Sequence, residues 1–516
     1  MDISNTVAYH ARYRPAAPAV IFDDTRLNWA EFSARVDRLA SALLDAGVTP
    51  GARVATVLAN HLELLDIYWA CARIGAVAVP LSPLLMKDGL ASLLADATPH
   101  VVFASPSTAA VTRAACDTLA DGPHAVKVRV LVEGEAEGAA AGFVPYAAFC
   151  AVSPRLCFEH RVGEDDPYNI MYTSGTTGLP KGIVITHRVR ALYGVLYANA
   201  WRMTPESVAL HTGAIVFNGA FLTLLPAFTL GATYILHRQF DAAAFIDTVA
   251  REKVTHTFMV PSQITAVLNS PNFSPEKLTT LQMLGSVGAP LPVAQKEKLE
   301  ALLPGRFHEL YGLTEGIMTI LDRNDAVRKR GSVGVPMPYT DMKIVGEDGT
   351  ELPAGEVGEI VGRGPLLMTG YYNRPDLTAA ALRDGWLFSG DLGYFDDEGY
   401  LHLVDRTKDM IDSGGVKVYP RDIEEVIARH PSVVEAVVFG IPDDKWGETP
   451  AAAVHLKAGA SDTAESLKAW INEHVDARYQ RVSKVDVVSG FPRNAAGKIL
   501  KRELRDVYWK GRTAQI

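Results

Sequence analysis

"RVATVLANHLELLDIYWACARIGAVAVPL" (53–81) sets two apolar, strand-like runs on either side of an amphipathic helical one. A further helical run, "AEFSARVDRLASALLDAG" (30–47), precedes it. Strand and helix alternating in this way is the pattern of crossover units and predicts a parallel sheet covered by helices. Toward the C-terminus the texture changes. Short strands and turns dominate "MKIVGEDGTELPAGEVGEIVGRG" (342–364), which reads as a smaller β-rich layer. After "DRTKD" (405–409) a compact helix-and-strand pattern begins, with "YPRDIEEVIARHP", "VVEAVVFGIPD", "AAAVHLKAG" and "AESLKAWINEHV", long enough for an independent α+β domain. The expected fold class is therefore α/β. A large N-terminal domain of α/β sheet layers with a β-rich subdomain (1–404) is followed, across 405–409, by a small C-terminal α+β domain (410–516).

At 516 residues and 48% hydrophobic composition, the chain is longer than one ordinary core requires. Its net charge of −9 provides no basic excess to neutralise a phosphate backbone, so nucleic acid is not an expected partner. The basic run "RKR" (328–330) reads as a solvated face. Cys71, Cys116, Cys150 and Cys157 form no C-x-x-C pair, which suits a reduced protein better than a disulfide framework or a zinc site. The opening "MDISNTVAYHARYRP" lacks the basic and apolar regions of a secretory leader, and a cytoplasmic location is expected. One uncharged stretch, 212–236, is long enough to span a bilayer, but Asn218, Pro226 and three glycines interrupt it. It ends in the strand-like "GATYIL", so a buried helix and strand are expected, with no stable membrane span.

The chemistry begins at "TSGTTGLPKG" (173–182). Glycines let backbone N–H groups approach a ligand, the hydroxyls of Thr173, Ser174, Thr176 and Thr177 add donors, and Lys181 adds positive charge, a combination suited to phosphate. It is not a Walker A loop, because Lys181 follows Pro180 and precedes Gly182. Standing alone, such a stretch also reads as a polar surface turn. It does not stand alone: "LYGLTEG" (310–316), "GYYNRPDLTA" (370–379), "GWLFSGDLG" (385–393), "LVDRTKDMIDSGGVKVYPRDIEEV" (403–426) and "NAAGKIL" (494–500) follow in that order.

Together these motifs resemble those of the acyl-adenylate-forming (AMP-binding) superfamily, closest in type to the acyl-CoA synthetases, and the resemblance covers almost the whole chain. It implies a two-step reaction in which a carboxylic acid and ATP give acyl-AMP and pyrophosphate, after which a thiol takes the acyl group and AMP leaves. ATP, Mg2+ and coenzyme A are the implied cofactors and co-substrates. On this resemblance, Thr173, Ser174, Gly175, Thr176, Thr177, Gly178 and Lys181 hold the β- and γ-phosphates. Glu315 is the magnesium carboxylate, since a hard cation wants oxygen ligands. Tyr311 lies against the adenine with Gly288, Ala289 and Pro290 beside it, Gly312 and Thr314 belong to the same nucleotide site, Asp391 accepts from the ribose hydroxyls and Arg406 contacts the ribose side. Lys498 is the catalytic cation between the carboxylate and the α-phosphate, where two anions must meet. Lys408 is the hinge about which a mobile small domain turns between the two steps, and Gly414 and Gly415 leave a channel for the pantetheine arm.

The acyl pocket is implied by the helix after the first nucleotide loop, "AIVFNGAFLTLL" (214–225), and by "GIMTIL" (316–321), bringing in Phe217, Asn218, Gly219, Gly316 and Met318. These segments are almost wholly apolar and predict a hydrophobic aryl or aliphatic monocarboxylate, with a second carboxylate rejected. Many relatives carry histidine where Phe217 stands. Amino-acid-activating relatives carry aspartate where Asn218 stands, so an amino acid is disfavoured. Asn218 itself reads equally as a partner for a substrate hydroxyl or carbonyl and as a helix cap or satisfied core amide. The acceptor thiol is expected to be coenzyme A. A stand-alone enzyme loading a separate carrier protein and a non-catalytic nucleotide-binding protein are the alternatives, and a homodimer is left open.

Overall fold

The helix Leu62–Ile74 is apolar almost all round its circumference, which a helix can be only if every side of it is covered. It connects the strands Arg53–Val57 and Val77–Leu81, parallel neighbours in one sheet. A second helix, Phe221–Leu230, connects the parallel neighbours Val208–His211 and Thr233–Leu236 of another sheet. The two helices meet face to face. Trp69 stacks on Phe228 at 4.7 Å between ring centroids, and Tyr68 packs on Phe221 at 5.3 Å. The central core is thus a helical layer shared by two parallel sheets, and the uncharged 212–236 stretch is part of it. No helix among the described residues is long and apolar enough to cross a membrane.

This computed structural model describes residues 1–134, 141–155, 158, 160–173, 181–289, 291–406, 409–414, 416–443, 445–493 and 499–510. Among them, the larger sheet has nine strands. It runs from Thr25–Asn28 and Pro18–Phe22 through Thr233–Leu236, Val208–His211, His256–Met259, Met283–Val287 and Phe307–Gly312 to Met318–Leu321 and Val335–Pro336. Its partner has eight strands, ending at one edge in Pro167–Thr173, Lys181–Thr186 and Gly370–Tyr371. Both sheets are parallel in the middle and turn antiparallel at that end. A third, antiparallel sheet containing Asp341–Val345, Gly358–Arg363 and Trp386–Phe395 forms the expected β-rich layer.

C-terminal to Leu401–Arg406, a five-stranded sheet with the helices Pro420–Ile427 and Ala464–His474 encloses a separate apolar cluster around Ile411, Ile423, Val438, Val454 and Ile471, and the helix Lys501–Trp509 packs against Val437 and Phe439 on the other face. This smaller unit touches the larger one through polar contacts. Arg421 donates to the Leu403 carbonyl at 2.7 Å, and Lys417 pairs with Glu347 at 2.9 Å.

Buried charged pairs lie inside the large unit, among them Lys296 with Glu309 and Arg35 with Asp66. Asp66, on the buried helix, is fully buried and is gripped by Arg35 at 2.6 Å, with the Tyr146 hydroxyl donating at 3.1 Å. Burial pushes the Asp66 carboxyl up to about 6 against the pull of Arg35. Removing it leaves a partly buried guanidinium with only the longer, 3.6 Å contact to Glu63. Asp66→Ala is expected to lower the free energy of unfolding by about 3–5 kcal/mol, whereas Asp45→Ala, which breaks the exposed Arg155 pair, should cost less than about 1 kcal/mol. Urea denaturation of the two variants beside the parent checks the contrast.

Candidate active site

The antiparallel ends of the two large sheets are hairpins, and each hairpin carries one of the nucleotide motifs. In the first, Thr173 and Lys181 stand opposite one another at the open end of the strands Pro167–Thr173 and Lys181–Thr186. Ser174, Gly175, Thr176, Thr177 and Gly178 lie outside the described residues. A strand, not a helix, follows this loop, which is the wrong context for a Walker-type site. In the second hairpin, Phe307–Gly312 pairs with Met318–Leu321, and Glu315 sits in the connecting turn. That turn closes through Leu313 N–H to the Ile317 carbonyl at 3.1 Å and Gly316 N–H to the Leu313 carbonyl at 3.1 Å. Gly316 has φ +122°, and a Cβ there would fall 2.1 Å from the Leu366 carbonyl oxygen, so only glycine can occupy the turn.

Tyr371 connects the two hairpins. It lies on the edge strand Gly370–Tyr371, paired with Lys181–Thr186, and its hydroxyl donates to Glu315 Oε1 at 2.9 Å. Lys181 Nζ stands 5.0 Å from the centre of the same ring. Burial raises the pKa of Glu315, opposed by hydrogen bonds from backbone and Tyr371 and by the charge of Lys181, while Asp391 adds to the rise. Burial and the neighbouring carboxylate likewise hold the Tyr371 phenol well above its usual range. No role was read for Tyr371 from the sequence, although it stands in "GYYNRPDLTA". Its partner becomes visible only when the two sheets are brought together.

Asp391, buried on the strand Trp386–Phe395, accepts a hydrogen bond from the Tyr311 hydroxyl at 2.9 Å and sits opposite Arg406 in the strand pair with Leu401–Arg406. The pair expected around adenine and ribose is therefore in contact. Gly312 and Thr314 flank Tyr311 and Glu315, partly buried. Gly288 and Ala289 are exposed at the end of Met283–Val287, and Gly288 takes φ +90°. Pro290, Lys408, Gly415 and Lys498 lie outside the described residues, as does the Arg406 side chain.

Gly414, expected to leave space for a pantetheine arm, has φ +65° and donates its N–H to the Trp446 carbonyl at 2.7 Å. A Cβ there would lie 2.6 Å from the Trp446 indole. The room left by the missing side chain is taken up by that ring.

The acyl segment needs one correction. "AIVFNGAFLTLL" is not the helix that follows the first loop, because the helix His187–Trp201 intervenes. Phe217, Asn218 and Gly219 lie instead at a short 3-10 turn, Asn218–Ala220, leading into Phe221–Leu230. Met318 is buried and receives the Tyr197 hydroxyl on its sulfur. The intervening helix also sends a guanidinium toward this turn: Arg190, wholly buried, donates to Asn218 Oδ1 at 2.8 Å. The sequence held a signal for it. Arg190 falls in register with Gly194, Tyr197 and Trp201 on the inward face of an otherwise apolar helical stripe.

Glu315 is the carboxylate suited to a hard cation here. One oxygen is held by Tyr371, and no cluster of three or more metal-ligating side chains exists among the described residues. That donor set fits magnesium shared with nucleotide phosphates and does not fit an all-protein cage.

Comparison with known proteins identifies the family. The sequence profile of the AMP-binding enzyme family matches residues 7–372, and that of the AMP-binding enzyme C-terminal domain matches residues 422–498. A feruloyl-CoA synthase of Amycolatopsis sp. is 38% identical over 500 residues, 96% of each chain. An indoleacetate–CoA ligase of Aromatoleum aromaticum is 34% identical over 517 residues, 98% of each. The crystal structure of ATP-bound MatB from Rhodopseudomonas palustris superposes with a TM-score of 0.89 at 30% identity, over 99% of both chains. If Tyr371 sets the position of Glu315, Tyr371→Phe should lower kcat/KM for MgATP about tenfold, the scale of a hydrogen bond to a charged group. Tyr371→Ala, which also strips the ring from Lys181, should lower it further. Pyrophosphate release at varied MgATP measures both.

Proposed function

We propose, from the premise that this chain belongs to the AMP-binding enzyme family and is an acid–thiol ligase of the acyl-CoA synthetase type, that it works in two chemical steps on a hydrophobic monocarboxylate. In the first, a carboxylate oxygen attacks the α-phosphorus of ATP and the bond to pyrophosphate breaks. In the second, a thiol sulfur attacks the acyl carbon, its proton passes to solvent, and AMP leaves. The observation that carries this reading is the joining of Lys181 and Glu315, from two different sheets, through Tyr371.

In this reading, the 173–181 loop grips the β- and γ-phosphates with hydroxyls, backbone N–H groups and Lys181, then releases them as pyrophosphate. Tyr311 and the glycine-opened strand end at Gly288 accommodate adenine, and Asp391 accepts from the ribose. Glu315 would hold Mg2+, which supplies charge neutralisation at the phosphates. Lys498 meets the charge gathering on the α-phosphate in the first step and is carried away when the small unit turns at Lys408 for the second. The acid is an aryl or a medium- to long-chain aliphatic one. The names of the feruloyl and indoleacetate relatives favour the aryl class. Coenzyme A is the acceptor, and the reaction belongs to the cytoplasm.

Incubation with MgATP and a panel of acids is expected to yield AMP and pyrophosphate only when a suitable acid is present, and an acyl thioester only when coenzyme A is added. Formation of ADP and phosphate would overturn the adenylation reading. Acyl transfer to a carrier protein and not to coenzyme A would reassign the acceptor. Lys498→Ala should slow acyl-AMP formation by about a hundredfold or more while sparing thioester formation from supplied acyl-AMP. Lys408→Pro should do the reverse. Rapid-quench assays of the separated half-reactions read both.

A further inference from the structure

Arg190 is fully buried, and among the described residues no carboxylate pairs with it. Its Nε donates to Asn169 Oδ1 at 3.2 Å, its Nη1 to Asn218 Oδ1 at 2.8 Å, and its Nη2 finds no partner among the described residues. The guanidinium lies 4.0 Å from the centre of the Phe221 ring and 5.0 Å from that of Tyr193. It also sits near the N-terminal, positive end of the helix His187–Trp201. Burial pulls its pKa down, opposed by the surrounding tyrosine hydroxyls. Positive potential here is therefore only partly compensated.

The consequence falls on Asn218. A guanidinium has only donors, so the amide oxygen of Asn218 must face Arg190 and its NH2 must face the other way. One of those N–H groups donates to the Tyr193 hydroxyl at 3.2 Å, and the second has no partner among the described residues. Asn218 is partly exposed, whereas Arg190 and Tyr193 are not. The neighbourhood is that of the reaction. A Cβ on Gly219 would touch Val287, next to Gly288, and the charge of Glu315 is felt at Tyr193.

We propose that Arg190 is a specificity-determining positioning residue: by holding the Asn218 amide oxygen, it makes Asn218 present an N–H donor to the acyl pocket, which then selects acids whose tail carries an oxygen acceptor. This deepens the ligase reading and rests on it. The preferred substrate is an oxygenated acid, in which a ring ether, phenol or keto oxygen meets the Asn218 N–H, and a plain hydrocarbon tail is the poorer one. The same field repels an ammonium group, so α-amino acids are refused by charge as well as by polarity.

The test uses isosteric pairs of cinnamic acids bearing methoxy or ethyl at the 2-, 3- or 4-position, since methoxy accepts a hydrogen bond, ethyl does not, and neither donates. In the parent enzyme, kcat/KM for pyrophosphate release should favour methoxy over ethyl at one ring position by about tenfold. Arg190→Met frees the amide to flip, and that ratio should collapse toward one. Asn218→Asp gives the buried guanidinium a carboxylate partner and removes the N–H donor, so it should fold even if Arg190→Met does not, and the ratio should fall below one. A parent ratio near one at every ring position, or a ratio unmoved by both variants, overturns the inference while leaving the ligase reading standing. Absence of pyrophosphate release with every acid in a broad panel overturns both.

Discussion

Tyr371 and Glu315 come from different sheets, and the hydrogen bond between them fixes where the two halves of the site stand. Tyr371 is held by its pairing with Lys181–Thr186, so its ring moves with the strand that begins at Lys181. Glu315 is held by a turn that tolerates only glycine at the next position, and by Met368, whose N–H donates to the Glu315 carbonyl at 2.8 Å. Two rigid elements therefore meet through one side-chain contact of 2.9 Å. Neither hairpin alone carries both Lys181 and Glu315. The central helical layer makes the meeting possible, because stacking Trp69 on Phe228 fixes the spacing of the two sheets far from the site. Burial raises the pKa of the Glu315 carboxyl, and the Tyr371 hydroxyl and the Lys181 charge both work against that rise.

The sequence made the architecture legible wherever local pattern and burial agree. The strand–helix–strand reading of 53–81 and the helix-and-strand reading of 212–236 match the structure because apolar periodicity there is imposed by burial on all sides. The contact of Tyr311 with Asp391 was half legible, since both lie in motifs but nothing local says that one hydroxyl reaches the other. Tyr371 was illegible for the same reason in stronger form, its partner being 56 residues away. Gly414 shows a different limit of sequence reading. A glycine in a motif invites a functional explanation, yet a left-handed backbone and a neighbouring indole suffice to require it. No role was read for Arg190 from the sequence, where it stands two residues from another arginine, Arg188. Arg188 lies toward solvent, pairing with Glu164 at 2.9 Å, whereas two residues on the chain has turned inward.

That inward turn changes the character of a pocket that composition alone describes as apolar. Burying an unpaired guanidinium costs several kcal/mol even after relaxation. Hydrogen bonds from a charged donor are worth about 1.5–3 kcal/mol each, and desolvated cation–π contacts about 2 kcal/mol. Two amide oxygens and two ring faces are therefore enough to offset much of the cost, and Arg190 is compatible with a stable fold. They do not neutralise it, because amide oxygens and ring faces carry no net charge and Nη2 has no acceptor among the described residues. A methionine of similar volume would satisfy the packing with none of this expense, so structural economy does not account for an arginine at the position. The arrangement does one thing that an apolar residue cannot. It fixes the sense of the Asn218 amide, turning a residue whose two ends are nearly isosteric into a donor of defined direction. If Phe217, Gly219 and Met318 line the acyl pocket as proposed, such a donor would leave it apolar along its walls and polar at a single point, the combination by which a site selects one class of hydrophobic acid over its unsubstituted relatives.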